Sequence, residues 1–125
     1  MSLFRVQNLS RPLPRPLSVR RCASFLCRLR GLMFRPSLPV EQGLWLVGGR
    51  ESRLDSSIHM LFMRTDLAVV WLDGRGVVVD VCLARRWHPF YIPARPAKDV
   101  LEISPARLGD FSVGDRLVFQ KISAR

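Results

Sequence analysis

From residue 43 onward the chain repeats one unit, a short apolar stretch followed by a break. GLWLV (43–47), SIHMLFM (57–63), AVVWL (68–72), GVVVDVCL (76–83), DVLEI (99–103) and DRLVFQKI (115–122) are short, aromatic and partly β-branched. Runs of this kind read as strands. DGRG (73–76) supplies the hairpin turn between two of them. VGD before the last run is a second turn, in which Gly114 takes positive φ and Asp115 bonds nearby backbone. Upstream, LFRVQNL (3–9) reads as a first strand, RPLPRP (11–16) as a proline-stiffened connection, and LSVR (17–20) as an edge strand. One helix is predicted, over 22–30, because Cys22, Phe25, Leu26 and Leu29, then Leu32 and Met33, recur at i, i+3, i+4 and i+7. Gly31 is placed for its left-handed C-terminal position, Leu32 for the apolar contact after it, and Pro36 prevents a restart. The expected fold is mainly β: a small jelly-roll-like sandwich or barrel of six or seven short strands with one helix in its N-terminal half. The 125 residues make one domain.

Read at period two, 57–63 places Ile58, Met60 and Phe62 on one face and His59, Leu61 and Met63 on the other. Both faces are mostly apolar, which suits a central strand covered on both sides, or one facing a core and a pocket. His59 is then a half-buried imidazole, read first as a structural group bonded to a carbonyl or an acid and second as a site residue.

Charge changes the picture at one end. Residues 1–40 hold eight arginines and no acid, whereas 41–125 hold twelve basic and ten acidic residues, so most of the net charge of +10 lies in the first third. Such an imbalance attracts nucleic acid, acidic lipid or acidic protein, with Arg20, Arg21, Arg28, Arg30 and Arg35 as the candidate patch. Arginine outnumbers lysine 18 to two, however, which fits a compositional habit as readily as binding. No apolar run approaches the ~18 residues of a membrane span, and no hydrophobic signal core opens the chain. We therefore expect a cytoplasmic protein. The three cysteines, without a CxxC, fit that compartment as buried apolar thiols. On a helix, Cys22 and Cys27 would stand about 140° apart and could not easily clamp one metal. Neither a metal site nor a cofactor is expected.

RLRGLMFRPSL (28–38), SIHMLFMR (57–64), WLDGRGVVVDV (71–81), VLEI (100–103) and VGDRLVF (113–119) together resemble the domain-of-unknown-function family 192 over about residues 3–120. This is a small mainly-β family of bacteria and archaea, and we expect a bacterial chain. The resemblance implies a compact jelly-roll or barrel domain and no particular activity. In the family pattern a proline and an aspartate follow the Met-Arg pair. Here Asp66 stands where the proline is usual and Ala68 where the aspartate is, which puts any carried-over site at that aspartate in doubt.

The chain has no GxSxG, HExxH, Walker loop or dinucleotide fingerprint, and Gly48-Gly49 reads as a turn. Arg64, Glu102, Asp115 and His59 are candidates to converge at one end of the barrel, with His59 as a base and Arg64 as an anion anchor. RRWHPFYIP (85–93) reads as a stiff lid with Trp87 buried, or else as a stacking or partner-binding surface. We expect a non-enzymatic β domain that binds a small ligand or a protein partner. Its cleft would lie between the His59–Arg64 run and the 85–93 loop, with His59, Met60, Arg64, Asp66, Trp87, Glu102 and Asp115 as ligand-binding candidates. The alternative is electrostatic binding of nucleic acid or an anionic surface through the N-terminal arginines. An enzyme with an acid–base site at one barrel end stands third, with no catalytic residue assigned.

Overall fold

The computed structural model describes residues 2–124. Its strands are β1 (Ser2–Asn8), β2 (Ser18–Cys22), β3 (Gln42–Ser52), β4 (Leu67–Leu72), β5 (Val78–Ala84), β6 (Ala97–Ile103) and β7 (Leu117–Ala124), with one α-helix, α1 (Phe25–Arg30), and a 3₁₀ helix at Pro105–Asp110. The fold is mainly β, as expected. All seven strands share one sheet in the order β5-β4-β6-β3-β2-β1-β7. Every pairing is antiparallel except β2 with β3. A parallel pair needs a long crossover, and α1 with the turns after it provides one.

The sheet curls without closing into a barrel, which corrects one of the two expected forms. Its edge strands meet only at the bridge between Val77 and Arg116. There the Leu117 N–H donates to Gly76 O at 2.8 Å and the Val78 N–H to Asp115 O at 2.8 Å. Gly76 has φ +82°, and a Cβ on it would lie 2.6 Å from Leu117 O, so glycine is required where the edges touch.

Curling gives the sheet two apolar faces. Inside the curl pack Val6, Val19, Val70, Leu101, Ile103, Phe111 and Leu117. Outside pack Leu32, Leu44, Leu46, Ile58, Met60, Met63, Val69 and Trp71. Strand β4 serves both layers by its alternation, Ala68, Val70 and Leu72 facing in and Leu67, Val69 and Trp71 facing out. None of its six residues exceeds 1% exposure. The strand covered on both sides is therefore β4.

The run 57–63, predicted as that strand, is a loop with a single bridge, between Ile58 and Tyr91. The Met60 N–H donates to His88 O and the Trp87 N–H to Met60 O, so this loop pairs with 87–91 instead of joining the sheet. Ile58 and Met60 are buried as the alternation requires. At Phe62, φ 62° turns the chain, and Met63 rejoins the core out of phase. The helix is also shorter than predicted. Ser24 caps it by accepting from the Cys27 N–H at 3.1 Å, and Cys22 lies on β2. Cys22 and Cys27 are thus on different elements, and they form a disulfide with Cα atoms 5.7 Å apart. The expected buried thiols are replaced at both positions, and Cys82 is the free cysteine.

The 3₁₀ helix, absent from the sequence-based expectation, carries Arg107 into the interior at 2% exposure. Its guanidinium donates to Asp110 Oδ2 (2.8 Å), Pro16 O (2.9 Å), Val40 O (2.9 Å) and Arg15 O (2.6 Å). One buried cation thereby ties the proline-rich connection and the approach to β3 onto the sheet.

Candidate functional site

Strand β6 runs between β3 and β4 at the middle of the sheet. Leu101 and Ile103 take the inner face, and alternation turns Glu102 outward. Opposite Glu102 stand Leu44 on β3 and Val69 on β4, so apolar neighbours flank the carboxylate on both sides. Glu102 is 5% exposed. Its Oε1 is the one buried side-chain polar atom among the described residues that lacks a hydrogen-bond partner. Burial pushes its pKa up from 4.5 to about 7, because the charged form loses water and gains nothing in return.

A pocket of about 230 Å³ opens above this floor, walled by α1, by residues 54–59 and by Leu46, Gly48, Lys98 and Val100 of the sheet. None of the residues of α1 is buried, and Phe25, Leu26 and Leu29 are exposed, so the helix lies across the mouth instead of packing an apolar face into the core. Three links hold it there. They are the Cys22–Cys27 disulfide, Arg28 Nη1 to Val47 O (3.4 Å) and His59 Nε2 to Leu29 O (2.9 Å), while the Gly31 N–H to Cys27 O bond (2.8 Å) closes the helix itself. Gly31 sits directly over the carboxylate. Its φ is +50°, and a Cβ there would lie 3.3 Å from Glu102 Oε1. Glycine thus serves the helix end and the space above Glu102 together.

The sequence-predicted residues divide accordingly. The pocket brings together His59, Glu102, Arg28 and Arg30. Both His59 nitrogens are engaged: Nδ1 accepts from the Leu61 N–H at 3.2 Å, so Nε2 donates to Leu29 O at 2.9 Å. Met60 is wholly buried beneath. Arg64 is exposed, and Asp66 accepts from the Arg86 N–H at 2.9 Å, with the Arg86 Nε 4.0 Å away. Asp115 belongs to a separate cluster, where Asn8 (2.9 Å), the Ser112 N–H (2.9 Å) and Arg11 (3.3 Å) reach its Oδ2. Burial raises its pKa, but these bonds outweigh that and leave it lowered. The four residues expected to converge are therefore only two, His59 and Glu102. Trp87, expected as a buried lid, is 57% exposed. Its loop is occupied in pairing with 58–60, which leaves the ring outside. Of the candidate basic patch, Arg20, Arg30 and Arg35 line one groove, whereas Arg21 turns to the other face of β2 and lies 5.9 Å from the Trp45 ring centre. Among the described residues, no three His, Cys, Asp or Glu side chains gather where they could hold a metal ion, and no helix is long and apolar enough to cross a membrane.

The family model DUF192, described as Uncharacterized ACR, matches residues 7–119. A UPF0127 protein of Pyrococcus furiosus is 37% identical over 108 residues, spanning 85% of this chain and 90% of its own. One from Thermococcus gammatolerans is 42% identical over 94 residues, 74% of this chain and 60% of its own length, so the chain spans about three-fifths of that relative. Both relatives are archaeal, and the bacterial origin expected above draws no support from them. Among solved structures, a Sinorhizobium meliloti protein described as a candidate transcription regulator superposes with TM-score 0.79 at 22% identity, covering 94% of this chain and 92% of that one. A protein of unknown function from Novosphingobium aromaticivorans gives 0.78 at 21%, covering 93% and 83%. At that identity the likeness is one of fold.

Proposed function

The chain belongs to the domain-of-unknown-function family 192, and from its own geometry we propose that it binds a small molecule in the pocket beneath α1, with Glu102 as the anchor. The observation that carries this reading is the unpartnered Glu102 Oε1, packed under Gly31 in the lining of the pocket. A buried polar atom without a partner costs about 1–3 kcal/mol, and a ligand donor would remove that cost. Arg28, Arg30 and Lys98 border the same pocket against one acid, Asp55, which is paired with Arg50, so a ligand with a hydroxyl or amine toward Glu102 and an anionic group toward the rim fits the charges. An apolar cavity of roughly 150 Å³ holds benzene, and 230 Å³ therefore suits a molecule of about ten non-hydrogen atoms.

An acid–base enzyme is less well supported. A carboxyl near neutrality suits proton transfer, but both His59 nitrogens are engaged, and Asp55 and Lys98 on the same wall are ion-paired with Arg50 and Asp99. Native mass spectrometry of gently purified protein tests the binding reading. The expected result is a small-molecule adduct, weakened in Glu102→Gln and absent from Gly31→Ala. A bare polypeptide mass, together with no thermal shift from a panel of amino acids, hydroxy acids and small amines, overturns it.

A further inference from the structure

Three non-glycine residues among those described hold positive φ: Phe34 (67°), Phe62 (62°) and Trp87 (66°). Left-handed backbone is rare for bulky L-residues and gathers where function requires it. All three are aromatic, they come from three separate connections, and they touch in a row. Ring centres are 5.6 Å apart from Phe34 to Phe62 and 5.2 Å from Phe62 to Trp87. Hydrogen bonds hold the turns in place, from the Phe34 N–H to Phe62 O and from the Trp87 N–H to Met60 O. Yet the rings are not core, being 57%, 45% and 57% exposed. Strain that buries a ring would be packing, whereas strain that presents three rings to solvent points outward.

The charges beside the row are mostly positive. Phe34 also lines a groove of about 770 Å³ whose walls include Arg20, Arg30 and Arg35 and no acid. At the other end, Arg85 and Arg86 adjoin Trp87, and Asp66 offsets Arg86 alone. We propose that this surface binds single-stranded nucleic acid, its bases stacking on the Phe34–Phe62–Trp87 row and its phosphates following the arginine groove. Every base has a face that an aromatic ring can accept, and arginines track the backbone. A duplex hides those faces, and its ~3.4 Å rise is shorter than the ring-to-ring steps here, so the single strand is the form that fits. The groove shares Arg30, Gly31 and Met33 with the wall of the Glu102 pocket, but the ring row does not touch Glu102, and strand binding and small-molecule binding are read with different ligands, so each reading can fail without the other.

The test is fluorescence anisotropy with a labelled twelve-residue oligothymidylate, and with an abasic strand of equal length, on the full chain. Stacking predicts that the abasic strand binds at least about fivefold more weakly. Phe62→Gly and Trp87→Gly, which remove a ring while easing positive φ, should each weaken oligothymidylate binding at least about fivefold and leave the weak abasic binding unchanged. Three arginine–phosphate contacts give a slope of about −2 in log affinity against log salt. Equal affinity for both strands, or tighter binding of poly-glutamate than of oligothymidylate, overturns the proposal, as does no binding at low salt. Because the abasic comparison uses the unaltered protein, it stands even if a variant fails to fold.

Discussion

Replacing Glu102 with glutamine should make the protein less sensitive to pH and more stable above neutrality. The unfolded chain releases the Glu102 proton above about 4.5, whereas the folded protein keeps it to about 7. Between those values the unfolded state gains free energy by ionising and the folded state does not. The contribution of this group to stability is therefore fully present below pH 4.5, declines up to pH 7 and is level beyond. At about 1.4 kcal/mol per pH unit the decline is about 3 kcal/mol, or roughly 10 °C of melting temperature for a domain of this size. Glutamine has the same shape and does not titrate. Its amide N–H₂ inherits the lack of a partner, a fixed cost that does not vary with pH. The informative quantity is therefore the difference of differences. Urea unfolding at pH 4.5 and pH 8 should show the wild type losing about 3 kcal/mol more than the variant over that interval, since every other titrating group is common to both. Parallel pH dependences would refute the reasoning, because they would mean that the carboxylate reaches water or a cation in the folded state.

Other expectations follow from the same contacts. Arg107→Ala leaves Asp110 and three backbone carbonyls without their donor and should destabilise by about 3–5 kcal/mol in denaturant unfolding, with Arg107→Lys recovering only part, since one ammonium cannot reach four acceptors. Asp115→Ala should remove stability above the ordinary aspartate pKa while leaving acid conditions nearly unaffected. Its folded pKa is lowered, so its contribution is present above the unfolded value and lost as pH falls through the folded one, which acid titration of the melting temperature reads. Thiol titration without reductant should find Cys82 alone and slow, burial and then Asp80 having raised its pKa to about 11. The double substitution Cys22→Ser with Cys27→Ser should cost about 2 kcal/mol, the loop-closure entropy of so short a loop.

Short apolar, aromatic and β-branched runs between turns were enough to find most strands, because a strand covered by an apolar layer on each face reads as a continuous apolar run, as β4 does. The same reading failed at 57–63 for a reason that lies outside those residues. SIHMLFM has the composition of a strand, but its partner is the 87–91 loop, and one left-handed residue at Phe62 ends the register. No local preference marks a phenylalanine for positive φ. The same blindness hid the ring row, for Phe34, Phe62 and Trp87 are far apart in sequence and meet only through the pairing of three connections. The cysteines were misread through a helix boundary. Beginning the helix at Cys22 set the two sulfurs on different faces of one element, whereas ending β2 there lets the chain fold back and bring them together.

Glu102 was legible as a candidate and illegible as an orphan. In VLEI a glutamate on a strand normally faces water, and what denies it water here is α1, whose own apolar side chains do not pack inward. A helix that stays over a sheet with Phe25, Leu26 and Leu29 exposed and only Cys27 against the core is held mainly by links: a disulfide, a histidine and an arginine. Such an arrangement contributes little to a core and keeps a cavity from collapsing, at the one place where the sheet has an unmet charge. A protein selected for stability alone would have an aliphatic residue at 102, whereas glycine at 31 is set by its positive φ. Keeping glutamate at 102 costs stability across physiological pH, and that cost is the ground for reading the pocket as a binding site.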